Sequence, residues 1–301
     1  MTDMMDFYDR ITKNCPELKL LKNEPLCKHT SFKIGGACRM MAFADTLQQL
    51  GTLLKLCKEE NVTPKILGAG TNVLAPDEGL DALVICTKDA LTGLEVQNTT
   101  VTAMAGETLC KTAVFAREQS LSGMEFVHGI PGTVGGGVYM NAGAYENEIR
   151  QICRKVTVMH MDGTLEDFSG DDMFSYRNSI FQSMDAIIVK AEFFLQQGDK
   201  NAIAEKIQEL MEKRKKSQPL ELPSAGSFFK RPKNGFAGTL IDEAGLRGFE
   251  IGGAAVSQKH AGFIVNLNDA TADDVLLLMK LVQKKVQNNS GILLEPEVRI
   301  W

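Results

Sequence analysis

Residues 129–145, GIPGTVGGGVYMNAGAY, hold six glycines in seventeen positions and neither lysine nor arginine. Such a stretch is a poor strand interior and a poor long helix, because glycine loses the most backbone freedom on folding and brings no side chain to pack. It suits turns with positive φ, or a place where something approaches the backbone closely. A shorter turn, GAGTN at 68–72, has the same character. Neither is a nucleoside-triphosphate loop, which needs a lysine after its last glycine. GAGTNV also lacks the third glycine of the dinucleotide fingerprint, since Val73 stands there. Taken singly, each turn reads equally as plain turn chemistry. Together they can present successive backbone N–H groups, which hold a pyrophosphate without a cation. The pair therefore predicts a diphosphate-bearing cofactor clasped by main chain, with glycines keeping side chains out of its path.

The chain of 301 residues is long enough for about two domains. Its net charge of −5 offers no basic field for bulk nucleic-acid binding. The opening MTDMMDFYDR is acidic and has no basic stretch followed by an apolar run, so no signal peptide is read. Apolar runs such as AIIVKAEFFL are too short to span a bilayer, and a cytoplasmic protein is expected. The seven cysteines never form C-x-x-C and the four histidines are scattered. Neither a disulfide framework nor a metal site is indicated, and buried reduced thiols are expected.

Helix and strand patterns alternate through the first third. DTLQQLGTLLKLCKEENV (45–62) reads as a helix opened by a capping aspartate, PKILGAGTN as a short buried strand running into a turn, and DALVICT as a further strand. TVTAMAG continues as a strand, and ETLCKTAVFAREQSLSG as a helix ending at Gly123. KVTVMHMDGTLEDFS reads as a hairpin turning at Asp162–Gly163 in a type I′ turn. DAIIVKAEFFLQQG is a long strand, and residues 199–217 an amphipathic helix with a basic end. The texture then becomes rich in glycine and proline, which places a boundary near 217. A helix near 237–244, a strand at AGFIVNL and a capped helix from Thr271 with Asp274 in its box follow. Gly291 ends that helix, and ILLEPEVRIW closes the chain as an alternating strand. FKIGGA (32–37) and FEIGGA (249–254) echo each other, which reads as similar turn chemistry or coincidence.

HTSFKIGGAC (29–38), ILGAGTNVL (66–74), GIPGTVGGGVYMNAGAYENEI (129–149), YRNSIF (176–181), PSAGSFFKRP (223–232) and LEPEVR (294–299) occur in this order. They resemble the UDP-N-acetylenolpyruvoylglucosamine reductase family over about 20–301, and the lack of an insertion after AYENEI resembles its shorter subclass, without an extra tyrosine-bearing loop. The resemblance implies an α+β chain: a two-subdomain FAD-binding fold of the vanillyl-alcohol-oxidase type plus a C-terminal α/β substrate domain. The implied boundaries are 1–88 with 292–301, 89–216, and 217–291, the last strand returning to the FAD region. FAD is implied to bind non-covalently at Gly68, Ala69, Gly70, Thr71 and Asn72, and at Gly129, Ile130, Pro131, Gly132, Thr133, Gly135, Gly136, Asn141, Ala142 and Gly143. His128, just before the long segment, is the conceivable covalent tether used by other members of the wider fold.

The implied reaction reduces an enolpyruvyl ether to a lactyl ether in peptidoglycan precursor synthesis, with NADPH as reductant, hydride passing through flavin N5, and no nucleic acid or membrane as partner. The protein must then supply position, charge and a proton. Arg177 suits the substrate carboxylate, because a guanidinium meets it bidentately. Ser227 suits the proton donor, with Lys230 near enough in sequence to stabilise the alkoxide and Ser224 as a rival that reads better as a turn residue. Glu295 and Glu297 share one strand face, and the resemblance selects Glu297 as the acid polarising the carboxylate. Arg214, Lys230 and Tyr176 are expected to bind the substrate, with SQKHAGFIVN (257–266) at the sugar-nucleotide. Another FAD-dependent oxidase of this fold, or a non-catalytic flavin- or sugar-nucleotide-binding protein, would keep the glycine turns and need no Arg177–Ser227–Glu297 set.

Overall fold

The computed structural model describes residues 4–301; the first three residues of the acidic opening lie outside the described residues. Two compact units divide the chain. One comprises the residues up to Asn23, Arg39–Ala69 and Ala82–Glu212; the other comprises Glu24–Cys38, Gly70–Asp81 and Lys213–Trp301.

In the first unit, the apolar run 186–194 becomes the strand Ala186–Phe194, the middle of a five-stranded antiparallel sheet. The order is Leu165–Ser169, Cys153–His160, Ala186–Phe194, Thr100–Met104, Leu94–Gln97. Ile187, Ile188 and Val189 are all buried, so both faces of this strand are covered, and its residues join one core with Leu53, Leu54, Phe126 and Val138. A smaller sheet runs in the order Lys19–Pro25, Ala37–Phe43, Leu80–Cys86, Lys65–Leu67, the last two strands being parallel.

Three local expectations are corrected here. The helix Leu47–Glu59 is capped by Thr46, whose hydroxyl accepts the Gln49 N–H at 3.1 Å; Asp45 instead donates its own N–H to Gln49 Oε1. The helix Leu109–Glu118 stops before Gly123, because Ser120 takes φ +57° and the chain enters the strand Leu121–Ser122. In the 153–169 hairpin only Gly163 has positive φ, and its N–H meets the His160 carbonyl at 2.8 Å. The His160 N–H meets the Thr164 carbonyl, so the loop is a three-residue turn with a left-handed glycine, not type I′. Lys65–Leu67 forms as a strand, though only Leu67 is buried.

In the second unit, Ser224–Ser227, Phe263–Asn266, Ala254–Val256 and Glu250–Ile251 form an antiparallel sheet in that order. Ala254, Val256 and Ile264 share a core with Val275, Leu278 and Val282 of the helix Ala272–Ser290. That helix carries the expected capping box of Thr271 and Asp274, and Gly291 at φ +73° ends it. The two FxIGGA segments both lie in this unit and both need their second glycine. A Cβ on Gly36 would sit 2.2 Å from the Asp77 carbonyl oxygen, and one on Gly253 would sit 2.2 Å from that of Asn268. Similar turn chemistry accounts for the echo. The closing strand is shorter than expected: Pro296 makes only an isolated bridge to Phe229, and Arg299–Ile300 alone pair, in parallel, with Val73–Leu74. Proline has no N–H to extend the ladder.

Of the seven cysteines, Cys110 is exposed and Cys27 half-buried, contrary to the expectation; the other five are buried. Burial pushes the thiols of Cys57 and Cys153 up to about 12 and that of Cys86 to about 11, so these three are inert side chains of the interior.

Candidate active site

Within the first unit the two glycine turns touch. Thr133 caps the short helix Val134–Tyr139 by accepting the Gly136 N–H at 3.2 Å, and a Cβ on Gly68 would lie 2.6 Å from the same hydroxyl. Most glycines here serve close approaches of the protein to itself. A Cβ on Gly135 would meet Ala105 at 3.0 Å, on Gly137 Leu109 at 3.0 Å, and on Gly143 the Asn147 carbonyl at 2.5 Å. In the second unit, Gly70 at φ +62° faces the His29 carbonyl, only 2.0 Å from where its Cβ would stand. Gly136 is the exception, exposed with room for a Cβ.

The N–H groups tell the expected cofactor positions apart. Those of Ile130, Asn141 and Ala142 are taken by the carbonyls of Val127, Val138 and Gly137. Gly135 gives its N–H to Ala105. Among the described residues, the N–H groups of Gly68, Ala69, Gly132 and Thr133 meet no protein acceptor. Main-chain donors are rarely left so, and two touching turns that carry four of them fit a diphosphate. Gly129 is half-buried and Pro131 exposed on the same approach, while Thr71 and Asn72, in the second unit, are half-buried.

Arg177 sits on a tight hairpin in the first unit. Phe174–Ser175 pairs with Asn178–Ser179, leaving Tyr176 and Arg177 as a two-residue turn. Arg177 takes φ +53°, an uncommon conformation for a side chain of its size. Its guanidinium lies beside the Tyr176 ring, 5.3 Å from the centroid, and donates to the carbonyls of Asn141 at 3.4 Å and Gly143 at 3.2 Å. Gly143 begins another tight hairpin, Gly143–Ala144 against Asn147–Glu148. Both of its turn residues, Tyr145 and Glu146, have positive φ, which is type I′ geometry without asparagine or glycine. The Tyr145 hydroxyl donates to the Leu210 carbonyl at 2.7 Å. No turn residue announces this hairpin in the sequence.

Ser227 and Glu297 both lie in the second unit, where main chain ties Phe228, the residue after Ser227, to Glu297. The strand Ser224–Ser227 has an irregularity at Gly226, φ +79°, which turns Ser227 outward as an exposed residue. Its hydroxyl has no protein partner among the described residues. Next along the chain, the Phe228 carbonyl accepts the Glu297 N–H at 2.9 Å, and Lys230 donates its N–H to the Glu295 carbonyl at 2.8 Å. Glu297 is half-buried, and its carbonyl accepts from Asn72 Nδ2 at 3.2 Å. Ser224 is half-buried, with its carbonyl taken by the Ser31 hydroxyl at 2.6 Å.

The remaining candidates scatter. Lys230 pairs its ammonium with the carboxylate of exposed Glu295. Arg214 is half-buried in the last turn of the helix Lys200–Ser217, and the Lys215 carbonyl there accepts from Lys259 Nζ at 2.7 Å. Burial lowers the pKa of His260, whose Nδ1 accepts the Gly262 N–H at 3.1 Å. Burial, helped by Arg117, also lowers the pKa of His128.

The model of an FAD binding domain matches residues 38–169, and that of the UDP-N-acetylenolpyruvoylglucosamine reductase C-terminal domain matches 218–301. The UDP-N-acetylenolpyruvoylglucosamine reductase of Limosilactobacillus fermentum is 43% identical, covering 95% of each chain; that of Alkaliphilus oremlandii is 42% identical over 99% of this chain and 98% of its own. Among solved structures, the UDP-N-acetylenolpyruvylglucosamine reductase from Thermus caldophilus is 32% identical with a TM-score of 0.77, covering 94% of this chain and 98% of that one. Phl p 4.0202, a glucose dehydrogenase, shares the fold alone: TM-score 0.51, 16% identity, 64% of this chain and 44% of that one. The chain is thus an FAD-containing oxidoreductase of α+β fold. More narrowly, it belongs to the UDP-N-acetylenolpyruvoylglucosamine reductase family.

Proposed function

We infer that the chain reduces UDP-N-acetylglucosamine enolpyruvate to UDP-N-acetylmuramate, with FAD as cofactor and NADPH as reductant, in peptidoglycan precursor synthesis. Family membership carries the reaction, and the four unpaired N–H groups at the touching glycine turns support the cofactor's diphosphate there. FAD held at these turns would supply the hydride-transfer chemistry that links NADPH to the CH2 end of the enolpyruvyl double bond.

The chain's own residues then have three tasks. Arg177, with two protein carbonyls already on its guanidinium, faces the substrate carboxylate as charge grows there. Glu297 in its protonated form donates a hydrogen bond to that carboxylate. Ser227 gives its hydroxyl proton to the ether-bearing carbon, so one hydride and one proton convert CH2=C(OR)–COO⁻ into CH3–CH(OR)–COO⁻. The exposed Ser227 hydroxyl, without a protein partner among the described residues and next to the Phe228–Glu297 hydrogen bond, is the observation that supports the role of Ser227. Arg214, Lys230 and Tyr176 bind the rest of the substrate. The functional division is an FAD part at 1–88 with 292–301, a second at 89–216, and a substrate part at 217–291. No helix among the described residues is long and apolar enough to cross a membrane, and nucleotide substrates of this kind favour the cytoplasm as the place of action.

The test is NADPH consumption by the purified protein without oxygen, with and without the enolpyruvate. Sustained turnover only with it is expected. A yellow protein that ignores the enolpyruvate and consumes oxygen instead would overturn the assignment in favour of an oxidase.

A further inference from the structure

We propose that Asn141 is a positioning residue for Arg177, an inference that rests on the reading of Arg177 as the carboxylate-binding group. Asn141 is 0% exposed, takes φ +45°, and has its whole amide engaged by protein. Its Nδ2 donates to the Ser175 carbonyl at 2.9 Å and to Glu148 Oε2 at 3.1 Å, and its Oδ1 accepts the Arg150 N–H at 3.0 Å. Ser175 closes the turn that carries Arg177. Glu148 pairs with Gly143, one of the two carbonyls that receive the guanidinium. The other is Asn141's own.

One buried amide thus ties together the base of the arginine's hairpin and the carbonyls that aim its head. Glu148 is held in turn by Arg150 Nε at 2.8 Å, which fixes the acceptor that orients the amide. A side chain aimed this way reaches its target only while both ties hold, and a displacement of about 1 Å costs on the order of 10²-fold in rate.

The discriminating variant is Asn141→Asp, equal in shape but with acceptors where Ser175 and Glu148 require donors. Stopped-flow separates flavin reduction by NADPH from flavin reoxidation by the enolpyruvate. The expected result is reoxidation slowed about 10- to 100-fold and half-saturation moved to higher enolpyruvate. Measured well below the variant's own melting transition, flavin content and the NADPH step should stay within about twofold, which a general structural defect would not allow. Asn141→Gly keeps the left-handed backbone and removes the amide, and it carries the same test should the aspartate variant not fold. On an Arg177→Ala background, either change should add less than about twofold. Flavin loss, equal slowing of both steps, or full additivity with Arg177→Ala would each overturn the proposal. If Arg177→Ala alone leaves reoxidation intact, the reading of Arg177 fails and this one with it. If Arg177→Ala slows reoxidation and Asn141→Asp does not, only the present inference fails.

Discussion

Arg177 and Ser227 are presented by opposite means. Arg177 rides a two-residue turn at strained φ, its head received by two carbonyls and its base tied to a fully buried asparagine. Ser227 follows a left-handed glycine, and its neighbours are held to the 295–297 segment by main-chain hydrogen bonds. A side-chain network is specific and brittle, because every member must be satisfied or it costs more than an apolar core. Main-chain pairing is indifferent to most side-chain changes, so the residue it presents can be altered with little effect on the frame. In the second arrangement a substitution at the functional residue reads chemistry alone; in the first it reads chemistry and architecture together.

The largest effects should come from the reacting groups. Ser227→Ala is expected to lower enolpyruvate-dependent flavin reoxidation by 10²- to 10³-fold, about 2.7–4 kcal/mol of transition-state stabilisation, without moving the melting temperature. Arg177→Ala should cost a similar factor and also shift the melting temperature, because it vacates two carbonyls and a strained turn. Single-turnover kinetics paired with thermal melts check both. Equal melting shifts for the two variants would break the contrast.

The glycines sharpen it at the level of folding. Gly70→Ala must place a Cβ 2.0 Å from the His29 carbonyl at φ +62°, and should cost at least about 2 kcal/mol of stability. Gly136→Ala meets nothing closer than Thr133 Oγ1 at 3.4 Å, inside a helix where alanine is favoured by roughly 0.5–1 kcal/mol. The apoprotein should therefore be no less stable, while flavin affinity falls if this open face borders the cofactor. Denaturant melts and flavin titration of each variant decide the matter.

How much of this was legible depended on range. The strand at 186–194, the capping box at Thr271 and the glycine stop at 291 follow from local periodicity and end chemistry, and the structure has all three. Arg177, Ser227 and Glu297 stood out only through ordered motifs, since an arginine in a loop or a serine after glycine is ordinary by composition. What stayed hidden was non-local. In sequence Asn141 reads as a cofactor-binding residue, yet its amide bonds reach residues 9 and 34 positions away. In sequence the glycines suggest room for a cofactor, whereas several clear room for Ala105, Leu109 and His29, which only a folded chain brings near. Tyr145–Glu146 turns by type I′ geometry with residues that carry no such preference, so tertiary anchoring at Leu210 supplies what local sequence lacks.

The smallest predicted effect concerns the second unit's own frame. Asp274 accepts N–H bonds from Thr271 and Gly253, and these hold its carboxyl below the ordinary aspartate range. A carboxyl whose folded-state pKa is depressed contributes stability at pH values above its unfolded pKa, near 3.9 for aspartate, and loses it as pH falls through the folded value. Asp274 is half-buried, so water and salt screen part of the contribution. Asp274→Asn should therefore lower the melting temperature slightly at about pH 6, and the difference from the parent should shrink as pH drops below about 4. Thr271→Ala removes the reciprocal hydroxyl and costs about 1 kcal/mol; that hydroxyl is the least of the causes depressing the carboxyl, so the pH dependence of this variant should run the same way and be smaller. If the Asp274→Asn difference is the same at both ends of the titration, the carboxyl's charge contributes nothing to this cap. This cap would then rest on uncharged hydrogen bonds alone, as the main-chain presentation of Ser227 does.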